Sequence, residues 1–236
     1  MMLAQSSLIL FLSVLTGGGL FFLLKETPKH FLKLTLSFSG AFLFSITVLH
    51  LMPEVYQQAD FKIGIWIMIG FFLQVVLEFF SEGIEHGHVH VHDHHHHFPL
   101  AMMLSLCLHS FLEAMPLSSG NNGNNNLLIG IAMHHIPVAF AFVSMLVQSG
   151  VKRKNAFLFL ALFGLMGPLG ASTSFFLGAG MVPVLTAIAP KIMAIVIGIF
   201  LHISTTILFE SSANHRFNLM KMIVIIIGGL AGILLS

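Results

Sequence analysis

Runs of about twenty apolar residues recur along this chain with almost no charge inside them, and nothing else in the sequence constrains its fold as strongly. Only 8% of the 236 residues are Asp, Glu, Lys or Arg, while 56% are hydrophobic. A soluble domain carries about 25% charged residues. A water-soluble enzyme is therefore excluded, because too few polar side chains exist to cover its surface. A membrane β-barrel is disfavoured too, since its strands would alternate apolar and polar residues and give a weaker signal than this. The expectation is an all-α integral membrane protein in contact with the lipid bilayer.

Eight apolar stretches are long enough to span: 5–24, 31–52, 62–80, 98–117, 127–148, 156–177, 191–209 and 219–235. No water-soluble domain is left over, so residues 1–236 read as one membrane domain. The first stretch has no basic residues before it and no small-residue cleavage site, so it reads as a helix rather than a signal peptide. Gly17, Gly18 and Gly19 would either loosen that helix or let a neighbour pack closely. Residues 178–190 form a connector whose conformation the sequence leaves open.

Cation placement orients the chain. Lys25, Lys29, Lys33, Lys152, Arg153, Lys154, Arg216 and Lys221 fall in loops of one parity, against Lys62 and Lys191 in the other. The positive-inside rule puts the first group in the cytoplasm. Both termini are then extracytoplasmic, and the third loop is cytoplasmic, in a multi-pass protein of the plasma (inner) membrane. The single cysteine, Cys107, precludes an intramolecular disulfide and reads as structural. A formal net charge of +1 leaves no nucleic-acid footprint.

Histidine carries the chemistry: there are 15, against nine acidic residues. Eight lie in the third loop, 81–97: His86, His88, His90, His92, His94, His95, His96 and His97. Neutral imidazole ligates zinc, copper, nickel and iron, and a flexible tract can do so without a preformed cage. A solvated spacer is the alternative. In the fourth span His109 and Glu113 are four residues apart and share a helix face. A glutamate at mid-span costs roughly 2.5–3.5 kcal/mol on insertion scales, so it should face the bundle interior. Pro116 frees the carbonyl of Leu112 one turn earlier. In the fifth span His134 and His135 precede Pro137, and at about 100° per residue one can face His109 and Glu113 squarely while the other lies to its side. Three histidines and a carboxylate on adjacent spans suit a shared metal site, with zinc in a tetrahedral set that keeps an exchangeable position. The competing reading is a His–Glu pair that only locks helices together. His50 and Glu54 end the second span, Glu78 ends the third, and His202 and Glu210 lie on the seventh. Each could line a path for an ion or sit as an interfacial residue.

These motifs resemble those of the ZIP family of divalent-metal transporters. Its pattern is H-(S/N)-x-x-E-G in one span and H-x-x-P-E in the next, against His109-Ser110-Phe-Leu-Glu113 and His134-His135-Ile-Pro137 here. Leu49-His50-Leu-Met-Pro53-Glu54 is similar to the family's second-span ending, and Leu165-Met-Gly167-Pro168-Leu-Gly170-Ala171 to its sixth-span signature. The resemblance implies eight spans and movement of zinc, or iron, manganese or cadmium, toward the cytoplasm. It places His109, Glu113 and His134 on first-site ligands, and Ser110 and His135 where two-metal members bind a second ion.

The chain also departs from that pattern. Val138 stands where many members have a glutamate, Gly167 replaces a sixth-span glutamate, and Ala114 replaces a glycine. A single-ion, histidine-rich site follows, favouring zinc over manganese. The leading expectation is zinc uptake by alternating access, with no enzyme activity. No G-x-x-x-x-G-K-[ST] motif for ATP is present. The alternative is a transport-inactive membrane metal sensor or regulatory protein. GxxxG-like contacts would support a homodimer.

Overall fold

The computed structural model describes residues 2–24, 29–81, 83–84, 100–118, 125–178, 183–210 and 219–235. All regular structure among them is helical. The elements are α1 (Met2–Leu23), α2 (Lys29–Ile46), a π-helical turn (Thr47–Leu51), α3 (Met52–Gln58), α4 (Ile63–Ser81), α5 (Leu100–Ala114), a 3-10 turn (Met115–Ser118), α6 (Asn125–Gln148), α7 (Arg153–Gly178), α8 (Pro183–Glu210) and α9 (Leu219–Leu234). α2, the π turn and α3 run on as one second span, so α5 is the fourth span and α6 the fifth. Seven helical segments are long and apolar enough to cross a membrane. The eighth, α9, has 16 residues. At about 1.5 Å per residue it reaches about 24 Å, short of a hydrocarbon core of about 30 Å.

Proline placement explains two irregularities. Pro53 has no N–H to donate and its ring crowds the carbonyl four residues back. The helix widens just before it, and the Met52 N–H bonds the Thr47 carbonyl in the π register. Pro116 acts in the opposite direction: α5 tightens into the 3-10 turn at Met115. The connector 178–190 is largely helical, because α8 already begins at Pro183 and carries Pro190 inside it. α1 is continuous through Gly17–Gly19, so these glycines do not loosen it; Gly17 and Gly18 serve close packing.

α4 illustrates how lipid and core divide a helix. Ile63, Ile67, Gly70, Gln74, Leu77 and Ser81 are buried, alternately four and three residues apart. Ile65, Met68, Ile69, Phe72, Val75, Val76 and Phe79 are exposed. In water such a surface would aggregate; against acyl chains it costs nothing.

Glycines set which helices lie closest. A Cβ at Gly70 (α4) would collide with the Ile195 carbonyl on α8, and one at Gly198 (α8) with the Ile67 carbonyl on α4. Gly17 (α1) likewise abuts the Ile136 carbonyl on α6, Gly170 (α7) the Phe111 carbonyl on α5, and Gly228 (α9) the Phe38 carbonyl on α2. The most extensive pairings follow these contacts: α4 with α8, α1 with α6 and α7, α2 with α9 and α8, α5 with α7. Two bundles result, one of α1, α5, α6 and α7, the other of α2–α3, α4, α8 and α9. They meet mainly where α2 touches α6 and α4 touches α5. Gly228 and Gly232, a small-xxx-small pair, are spent on α2 within the chain.

Candidate metal centre

The buried stripe of α5 runs Met102, Ser105, Leu106, His109, Ser110, Glu113, Ala114. His109 and Glu113 therefore stack one turn apart on the face turned inward, as their spacing requires. α6 is the central helix, buried on every side from Pro137 to Leu146. His134 and His135, 0% and 1% exposed, thus both lie inside although they differ by about 100° in direction.

Glu113 is the hub. Its Oε2 lies 3.2 Å from His109 Nε2 and 3.0 Å from His135 Nε2. Ser110 Oγ is 3.4 Å from the same His135 nitrogen. The His134 ring stands edge-on to His109, centroids 6.3 Å apart. Ligand atoms of His109, Glu113 and His134 all fall within 4.8 Å of one another. Among the described residues this is the one group of three or more His, Cys, Asp or Glu side chains close enough to share an ion. Both histidines of α6 thus reach the cluster from different sides: His135 bonds the carboxylate and His134 faces His109.

The arrangement suits a cation. Glu113 is fully buried, and its Oε1 has no hydrogen-bond partner among the described residues. Leaving a buried carboxylate oxygen without a donor is costly; a cation removes that cost. Zinc bonds of about 2.0 Å put tetrahedral ligands about 3.3 Å apart. The 4.8 Å limit then has to close by at most about 1.5 Å, within reach of side-chain rotation.

One position that departs from the ZIP-like pattern, Gly167, borders this cluster. A Cβ at Gly167 would lie 3.7 Å from Ser110 Oγ, so position 167 does face the site. The same Cβ would lie 3.2 Å from Leu10, whose fully buried side chain fills the space a longer residue would need. Val138 is buried in an apolar cluster with Leu106 and Phe142.

Other expected residues lie apart. His202 Nε2 on α8 is 3.3 Å from Glu78 Oε2 on α4. His50 sits in the π turn and Glu54 in the first turn of α3. Neither they nor His202 belong to a group of three ligating side chains among the described residues. Histidines 86, 88, 90, 92 and 94–97 lie outside the described residues. Cys107 is half-buried with its thiol free. Sequence reasoning missed Gln74, fully buried on α4, whose Oε1 is 3.2 Å from His109 Nδ1. Its signal was available: an amide in an otherwise apolar run, one turn before Glu78.

A comparison with curated proteins finds no match. Residues 98–236 do match the family model described as ZIP zinc transporter, a stretch that includes both helices of the His–Glu cluster, α5 and α6. The chain accordingly belongs to the ZIP family of divalent-metal transporters.

Proposed function

We propose that this protein carries zinc toward the cytoplasm, one ion at a time, through a site of His109, Glu113, His134 and His135, with Ser110 holding His135. The carrying observation is the buried cluster of His109, Glu113 and His134, with ligand atoms within 4.8 Å and one carboxylate oxygen lacking a donor among the described residues. Three imidazoles and one carboxylate favour zinc over manganese, which prefers oxygen ligands. The site lies between helices of the first bundle beside its contact with the second, which suits alternating access by movement of one bundle against the other.

The route is read from the polar residues. Glu78 and His202 lie one turn beyond Gln74 toward the Ser81 end of α4, which leads into the histidine-rich segment. By the cation count that end is cytoplasmic, so this pair lines the way out and the eight loop histidines collect the released ion. His50 and Glu54, near the other end of the second span, line the way in. Both termini then face outward across the plasma membrane.

Radiolabelled zinc flux in proteoliposomes tests the reading, comparing the native chain with a His109→Ala/Glu113→Ala double variant. Saturable uptake by the native protein and none by the variant is expected. A second reading, a metal sensor that has lost transport, draws on the missing carboxylates at Val138 and Gly167. Zinc binding without flux in the native protein would establish it instead.

A further inference from the structure

We propose that Gln74 is a positioning residue for the ion site: reaching across from the α4–α8 bundle, it holds His109 with the Nε2 lone pair turned toward Glu113 and His134. The proposal rests on the reading that His109 is an ion ligand.

Gln74 occupies the buried stripe of α4, one turn after Gly70, where α4 lies in backbone contact with α8. That contact leaves α4 little freedom to shift. From there the Gln74 amide oxygen meets His109 Nδ1 at 3.2 Å, with both side chains buried. An amide oxygen only accepts, so Nδ1 carries the ring hydrogen and donates it. A neutral imidazole then has its lone pair on Nε2. That nitrogen lies 3.2 Å from Glu113 Oε2, itself an acceptor. Two acceptors facing each other at this distance are brought together by a cation that both can ligate. The opposite tautomer would place a hydrogen on Nε2 and block it as a ligand. Fixing the tautomer and ring plane of a ligating histidine through its other nitrogen is worth about 10–100-fold in metal affinity.

A second contact keeps the register of the two helices. Ser105 Oγ, one turn before His109, donates to the Leu77 carbonyl of α4 at 2.5 Å. The Gln74–His109 bond is therefore made across the junction of the bundles, at one relative position of the two. Displacing one bundle along the other removes the acceptor from His109 and weakens the site as the ion is carried.

Zinc uptake by the full-length protein in proteoliposomes tests this, with KM and maximal rate measured for native, Gln74→Met, Gln74→Glu and His109→Ala proteins. Methionine keeps the volume and loses the acceptor; glutamate keeps the acceptor. Gln74→Met is expected to raise KM about 10–100-fold with its maximal rate preserved, and Gln74→Glu to restore the native KM. If Gln74 only filled space, Gln74→Met would leave KM unchanged, and that result overturns the proposal. So does a Gln74→Glu protein as weak as Gln74→Met. If His109→Ala keeps the native KM, the ion-site reading fails first and the proposal with it. Nitrogen-15 spectra of histidine-labelled protein give an answer that does not depend on flux. The native, zinc-free His109 ring should carry its hydrogen on Nδ1; finding it on Nε2 overturns the assignment.

Discussion

Leu10 fills the space beside Ser110 that a longer side chain at position 167 would need. The one carboxylate among the central residues, Glu113, is shared by His109 and His135 through a single oxygen. A second carboxylate from position 167 would approach Ser110 and His135, but the Leu10 side chain is in the way. Gly167→Glu alone is expected to destabilise the protein by about 1–3 kcal/mol through overpacking, read as a lower thermal midpoint in detergent. Gly167→Glu with Leu10→Ala should recover that loss and bind two zinc ions in place of one. The count is taken by equilibrium dialysis in a protein whose eight loop histidines are replaced. A stoichiometry that stays at one would mean that Leu10 does not limit the site. His109, Glu113, His134 and His135 were legible in the sequence, because helical spacing puts the first two on one face and composition makes each conspicuous in an apolar span, whereas Ser110 stood out only through the resemblance to the ZIP motif. Gln74 was passed over although it is an amide in an apolar run, because nothing in the sequence names its partner, 35 positions away. Leu10 was illegible for the same reason, being one leucine among many until the packing shows what it displaces.

At the scale of helices, backbone contact through glycine does the work that the hydrophobic effect does in water. Lipid tails are as apolar as leucine, so helices associate through close packing and not through burial from water. Gly70 and Gly198 meet reciprocal backbone on α8 and α4, whereas a Cβ at Gly19 would find nothing within 4 Å among the described residues. Gly70→Val should therefore force α4 and α8 apart and lower the thermal midpoint and the folded yield, at a cost of about 1–3 kcal/mol or more. Gly19→Val, in open space on α1, should leave both nearly unchanged. Equal effects at the two sites would remove glycine contact as the cause. The spans themselves were legible from apolar run length, to within a few residues at most ends. The π turn at Thr47–Leu51 and the early start of α8 at Pro183 were not. Run length registers how far a helix goes; it does not register its hydrogen-bond register, or that a proline lies inside it.

Across the whole molecule, the division into two bundles is the property the sequence hides most completely. Hydropathy gives every span a similar signature, and only the pattern of close contacts separates α1, α5, α6 and α7 from the rest. The proposed ligands belong to the first bundle and Gln74 to the second, so transport by relative movement must change the contacts between α6 and α2 as well as those between α5 and α4. A Cβ at Gly130 on α6 would lie 2.9 Å from Leu43 on α2, which makes this junction the place to join the bundles. The variant is Leu43→Cys/Gly130→Cys with Cys107→Ala to remove the native thiol. Before treatment it should carry zinc. Linking its thiols with a short bis-methanethiosulfonate reagent should stop uptake, and reduction should restore it. Zinc binding at the central site should persist throughout, since none of its side chains is altered. Uptake at the untreated rate by the fully linked protein would mean that the ion moves through a fixed pore between α5 and α6, and that the two bundles are a packing feature with no part in carrying it.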